Sequence, residues 1–134
     1  MTDASEARCH ELAIRVRYCE CDPMGVAHHS VYPVWFEMGR TELLRESGVS
    51  YRELEDAGVM LAVVSLQMKY RSPARYDDLM TLHTTLESVG HVKIEHSYSL
   101  QREGVELARA TSTLACLGRD GRPREVPAVL QAEP

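Results

Sequence analysis

Apolar and polar residues change period along this chain. Glu11 to Tyr18 (ELAIRVRY) alternates: Leu12, Ile14, Val16 and Tyr18 fall on one side, Ala13, Arg15 and Arg17 on the other. A period of two predicts a half-buried strand. From about Val31 to Ser47 the spacing becomes helical. Val31, Trp35 and Met38, with Glu42 beyond them, lie along one stripe; Tyr32, Phe36, Gly39 and Leu43 lie along another. Apolar residues on both stripes predict a helix covered on much of its circumference. Ser30 can cap it, and Pro33 falls in the first turn, where its missing N–H removes no intrahelical bond. Gly48 is placed to end it in the left-handed conformation. Gly39 lowers helix propensity by about 1 kcal/mol relative to Ala, which predicts close packing there. Tyr51 to Ala57 predicts a short second helix.

The period returns to two from Val59. Met60, Ala62, Val64, Leu66, Met68 and Tyr70 alternate with Ser65, Gln67, Lys69 and Arg71. Leu79–Ser88, Val92–Arg102 and Val105–Leu117 repeat the strand pattern. Val89–His91 and Glu103–Gly104 are hairpin-length, so the strands they join are antiparallel neighbours. The order is one strand, a long helix, then four long strands. That is α+β: one antiparallel sheet with a helix on its inner face. Such a sheet keeps free edges, and a symmetric dimer continuing it across a two-fold axis would cover one.

The 134 residues suit one domain over 1–134, with loose ends at 1–10 and 128–134. Net charge is −5 and no basic run supplies phosphate contacts, which argues against a nucleic-acid partner. MTDASEARCHEL lacks the apolar run of a signal peptide, and no window approaches the ~20 apolar residues of a membrane span. A soluble, cytoplasmic protein is expected. Cys9, Cys19, Cys21 and Cys116 fit no disulfide framework and read as thiols, Cys116 buried in a strand.

The chemistry gathers in YCECDPMGVAHHSVY, Tyr18 to Tyr32, just before the long helix. A metal site fits poorly, because C-x-C followed by adjacent histidines matches no usual zinc spacing. A nucleophilic Cys19 or Cys21 with His28 or His29 as base lacks a third, orienting group. Asp22 offers more. It stands too far upstream to cap the helix, and Gly25 lets the chain turn back. The amides around His28–Ser30 then leave the helix start without intrahelical partners. With the helix dipole behind them they suit a carbonyl oxygen gaining negative charge. A carboxylate beside that carbonyl can attack it or activate water against it. This is an acyl-transfer arrangement that needs no metal.

These residues resemble the hotdog-fold acyl-CoA thioesterases of the 4-hydroxybenzoyl-CoA thioesterase-like group. The match runs through RVRY, Tyr18-x3-Asp22-x2-Gly25-x3-His29-x2-Tyr32, WFEMGRTELLRESG, and YRSPARYDDLMTLHTTLESVG at Tyr70–Gly90. The resemblance implies a curved five-stranded antiparallel sheet wrapped around one long helix, assembled as a homodimer or homotetramer with pockets shared between subunits. It implies a thioester hydrolase that uses water, needs no cofactor, and acts on an acyl-CoA or acyl carrier protein thioester. Asp22 stands at the catalytic carboxylate, as nucleophile or general base. The His29 amide would hold the thioester oxygen, and its imidazole and the Tyr18 hydroxyl would orient substrate or water. Gly25, His28 and Tyr32 fall within the substrate motif. Arg71, Arg75, His91 and Lys93 are the candidates for the CoA phosphates. Trp35, Phe36 and Met38 could line an acyl pocket, and Glu37 or Glu42 could replace Asp22, as a helix Glu does in other hotdog thioesterases. The rival readings are an enoyl-thioester hydratase or dehydratase, with acid and base astride Cα–Cβ, and a non-catalytic acyl-CoA-binding protein.

Overall fold

The computed structural model describes residues 8–131. Strand β1 is Cys9–Arg15; 3-10 turns follow at Tyr18–Glu20 and His29–Val31. Helix α1 is Tyr32–Glu46 and α2 Tyr51–Asp56. Strands β2 (Met60–Tyr70), β3 (Leu79–Val89), β4 (Lys93–Arg102) and β5 (Val105–Leu117) precede a short α3, Ala128–Gln131. The sheet is antiparallel throughout, in the order β1-β3-β4-β5-β2. Five strands and one long helix are the hotdog arrangement that the resemblance implied. Glu103 (φ 51) and Gly104 (φ 79) take the left-handed pair that a two-residue hairpin favours.

The buried face of α1 carries Tyr32, Trp35, Phe36, Gly39, Arg40, Leu43 and Leu44. That three-and-four spacing is one face, so the helix is not covered all round; Val34 and Met38 are exposed. The face meets Ile14, Met80, Leu82, Tyr98 and Leu100 from the sheet, and Val16 just beyond β1. Gly39 is where helix and sheet approach closest. A Cβ there would lie 2.6 Å from Leu82 Cδ2 and closer still to Thr84 Oγ1. Gly48 (φ +97) ends the helix as expected.

Four expectations need correction. The N-terminal end is ordered earlier than residue 10, because Cys9 and His10 already pair with Thr85 and Thr84; α3 likewise occupies part of 128–134, and residues 1–7 and 132–134 lie outside the described set. Tyr18 does not continue the buried side of β1. The strand stops at Arg15, and the chain enters a turn that Glu20 caps through the Arg17 N–H. Val64 does not share a face with Leu66, since a bulge between Val63 and Ser65 shifts the register. Ser30 is not the cap: His28 caps the 3-10 turn, its Nδ1 accepting from the Ser30 N–H at 3.2 Å.

Candidate active site

The stretch after β1 folds back on itself. Asp22 N–H donates to Val26 O and Gly25 N–H to Asp22 O, both at 2.9 Å. Gly25 takes φ +80, where a side chain would be strained. Met24 N–H donates to Asp22 Oδ1 at 2.8 Å. One carboxylate oxygen is thereby held by the turn; Oδ2 has no hydrogen-bond partner among the described residues. Ala27 N–H donates to Ala74 O at 2.7 Å and His28 N–H to Glu20 O at 2.8 Å, which ties the loop to both flanks.

The helix start is more selective than the sequence implied. Of the three amides, that of His28 is used by Glu20 O and that of Ser30 by the His28 ring. The His29 N–H opens the 3-10 turn, and no acceptor for it exists among the described residues. It is an orphan donor at the positive end of 3-10 turn and α1.

Asp22 and His29 line one open cleft of about 370 Å³ with Ala27, Tyr32, Tyr70, Arg71, Ser72 and Pro73. Asp22 is half-buried and His29 exposed. The His28 and His29 rings stack at 4.2 Å between centroids. Tyr32 is 3 % exposed, and burial pushes its phenol pKa up, as it does that of Tyr70. Both phenols therefore stay protonated. The remaining candidates divide. Arg71 borders the cleft, although its Nε pairs with Glu106 at 3.2 Å. Arg75 is exposed nearby, bridged to Val26. Tyr18 is off the cleft wall: it is 80 % exposed and packs edge-to-face on Tyr76. His91 and Lys93 stand far away. Tyr70 pairs with Ala108 and Lys93 with Ala115, a separation along β5 of roughly 23 Å at the usual strand rise.

Two residues that the sequence reading passed over organise the site. Glu20 is 6 % exposed, and its carboxylate accepts from Arg17 N–H (2.7 Å), Arg17 Nη2 (3.2 Å) and the Trp35 indole (3.1 Å). It fastens the loop to α1. The Tyr70 hydroxyl donates to His29 O at 2.9 Å, and its ring meets Tyr32 edge-on at 4.9 Å. It fixes the helix start against the end of β2. A carboxyl five residues after a strand, facing a helix that carries the chain's one Trp, was the available sign for Glu20; nothing local singled out Tyr70.

The thiol and metal readings gain nothing. Burial first, then the carboxylates of Glu20 and Asp22, push the Cys21 thiol pKa up, away from a reactive thiolate. Among the described residues, no group of three or more His, Cys, Asp or Glu side chains is placed to hold a metal ion. No helix among them is long and apolar enough to cross a membrane.

Comparison with known proteins gives a consistent picture. Residues 16–133 match the family model described as the thioesterase-like superfamily. The putative acyl-CoA thioesterase YneP of Bacillus subtilis is 35% identical over 108 residues, covering 80% of this chain and 78% of that protein. A hypothetical protein of Thermus thermophilus superposes with a TM-score of 0.86 at 34% identity, covering 90% of this chain and 94% of that one. The 4-hydroxybenzoyl-CoA thioesterase of Pseudomonas sp. strain CBS-3 shares the fold, with a TM-score of 0.85 at 23% identity over 93% of this chain and 99% of that one.

Proposed function

The chain belongs to the thioesterase-like superfamily, and from that premise we propose that it hydrolyses acyl-CoA thioesters to a carboxylic acid and free CoA. One observation supports the reading above all: Asp22 and His29 line the same cleft, where the His29 N–H is the helix-start amide left without an acceptor. The thioester oxygen accepts from that N–H. Charge gathering on the oxygen during attack is then stabilised by a fixed donor at the positive end of a helix, which favours the transition state over the ground state.

Asp22 supplies the other half. Its Oδ1 is anchored by Met24 N–H, so Oδ2 is presented without a rotamer search. As nucleophile, Oδ2 attacks the carbonyl carbon, the C–S bond breaks, thiolate leaves, and water cleaves the resulting anhydride. As general base, Asp22 takes a proton from water while that water attacks the carbonyl carbon; the C–S bond then breaks and the thiolate leaves with a proton. Both routes need the same two groups. We assign the CoA phosphates to Arg71, on the cleft wall, and Arg75; His91 and Lys93 lie too far along the sheet to join them within one chain.

The active assembly is a homodimer formed through β2. This strand is a sheet edge with Val63 (47 %) and Val64 (56 %) exposed, and Val63 borders the same depression as exposed Val34 of α1. An unpaired, apolar edge of this length invites a second copy. The test is thiol release across acyl-CoAs of graded chain length and aromaticity. Turnover of at least one subset is expected. Loss of the crotonyl-CoA double bond without thiol release would favour a hydratase, and tight binding without any turnover would make the protein a binder.

A further inference from the structure

The outer face of the sheet carries an uneven charge pattern beside the cleft. Lys69 of β2 stands directly opposite Arg109 of β5 in the strand register. Their neighbours Met68 and Ala110 pack into the core, so alternation sends both cations to the side away from α1. Like charges set directly across a strand pair repel and cost stability. Arg71, two residues beyond Lys69, adds a third cation, its N–H still bonded to Leu107 O of β5 at 2.8 Å.

One carboxylate serves this group. Glu106 Oε1 accepts from Arg109 Nε at 2.9 Å and lies 3.2 Å from Arg71 Nε. Glu106 Oε2 accepts from the Ser99 hydroxyl at 2.7 Å. The Ser99 hydroxyl first, then Arg109 and Arg71, hold the Glu106 carboxyl below its ordinary range against the opposing effect of burial, so it is charged at neutral pH. Lys69 makes no ion pair among the described residues. Elsewhere the pairing is one to one: Arg15, Arg17, Arg45 and Arg102 each have a carboxylate of their own. Three cations around one carboxylate leave positive charge in excess here, on a chain whose net charge is −5.

The excess adjoins the cleft. Arg71 is on the cleft wall, and through the shared Glu106 Oε1 its guanidinium stands beside that of Arg109. Lys69 and Arg109 border a surface depression of about 280 Å³ with Gln67 and Thr111, which are again direct cross-strand partners. These two add an amide and a hydroxyl as further donors. Edge pairing of β2 with a second copy leaves this outer face uncovered. A phosphate monoester matches the setting, since it carries about two negative charges and three strong acceptor oxygens. Coenzyme A has one such group, on the ribose 3′ position, at the end remote from the thioester. The pantetheine arm of a carrier protein has none. We propose that Lys69 and Arg109, flanked by Gln67 and Thr111, hold the 3′-phosphate of the CoA thioester and so select coenzyme A over thiol carriers that lack it. The inference rests on the thioesterase reading above and adds the identity of the thiol carrier.

The experiment presents one acyl group, the best of the thiol-release panel, on CoA and on 3′-dephospho-CoA, which lacks only that phosphate. The wild type and the double variant Lys69→Gln/Arg109→Gln are compared, each checked for folding by circular dichroism. The wild type should favour the CoA thioester by about tenfold in kcat/KM, the scale of a charge-assisted contact at a solvent-exposed site. In the double variant the ratio should fall to near one, with the dephospho thioester turned over as by the wild type. A wild-type ratio near one, or a double variant that keeps the wild-type ratio, overturns the inference and leaves the thioesterase reading standing. Should the wild type release thiol from no acyl-CoA, the thioesterase reading falls instead, and calorimetry with CoA and 3′-dephospho-CoA decides the phosphate site. Tighter binding of CoA that is lost in the double variant supports it; equal binding of the two, or no binding to folded wild type, refutes it.

Discussion

Replacing Gly39 by Ala tests how α1 is held over the sheet. On an exposed helix this change stabilises by about 1 kcal/mol, because Ala is the better helix former. Here the added methyl would sit 2.6 Å from Leu82 Cδ2 and closer to Thr84 Oγ1, where about 3.5–4.0 Å is comfortable. Leu82 and Thr84 are both 0 % exposed, so neither can swing into solvent to make room. Overpacking of this kind costs about 1–3 kcal/mol, and two rigid neighbours place it toward the upper end. Subtracting the propensity gain leaves a net loss of about 2 kcal/mol. For a chain of this length that lowers Tm by about 6–10 °C. Thermal unfolding read by circular dichroism measures it. The mechanism also requires coupling. Thr84 Oγ1 makes no hydrogen bond, so Thr84→Ala should be mild and should relieve at least about 1 kcal/mol of the Gly39→Ala loss in the double mutant. A neutral or stabilising Gly39→Ala, or strictly additive effects, would refute the close approach of α1 to β3.

Three further outcomes follow from the site and its surroundings. Tyr70→Phe removes the hydroxyl that holds His29 O; kcat should fall several-fold while stability drops by less than about 1 kcal/mol, and an unchanged kcat would show that the helix start needs no such anchor. His96 has a folded-state pKa of about 4, below its ordinary value. The unfolded chain therefore binds this proton first on acidification, so stability is full above about pH 6.5 and is lost, by roughly 3 kcal/mol, as pH falls to about 4. The unfolding free energy of His96→Gln relative to wild type, from denaturant titrations, should rise by that amount between pH 7 and 4; a constant difference would contradict it. Val64→Lys places a charge on the free edge of β2 and should make the folded protein elute as a monomer in gel filtration, whereas unchanged elution would move the dimer contact elsewhere.

What could be read from the sequence was whatever depends on local period. The alternation in β3, β4 and β5 and the three-and-four spacing of α1 follow from backbone geometry, so the element order and their antiparallel neighbours were legible. The Asp22 turn was legible because Asp and Gly at that spacing have few other uses. The misreadings share one cause, which is that a partner distant in sequence decided the matter. Tyr18 left the buried face because Glu20 closes a turn against Trp35. The β2 alternation broke at a bulge set by pairing with β5. The choice of one open amide among three depended on Glu20 O and the His28 ring. Arg40 was not singled out, because only the sheet closing over the helix buries it.

Proposed hydrolysis depends on the Asp22 carboxylate. Asn at this position keeps an oxygen to accept the Met24 N–H, so the turn and the His29 amide should stay in place. What disappears is the group that attacks or takes a proton. Single-turnover thiol release by folded Asp22→Asn, on the best acyl-CoA of the panel, should be slower than wild type by about 10²–10⁴-fold or more. A rate within a few-fold of wild type would contradict the central claim.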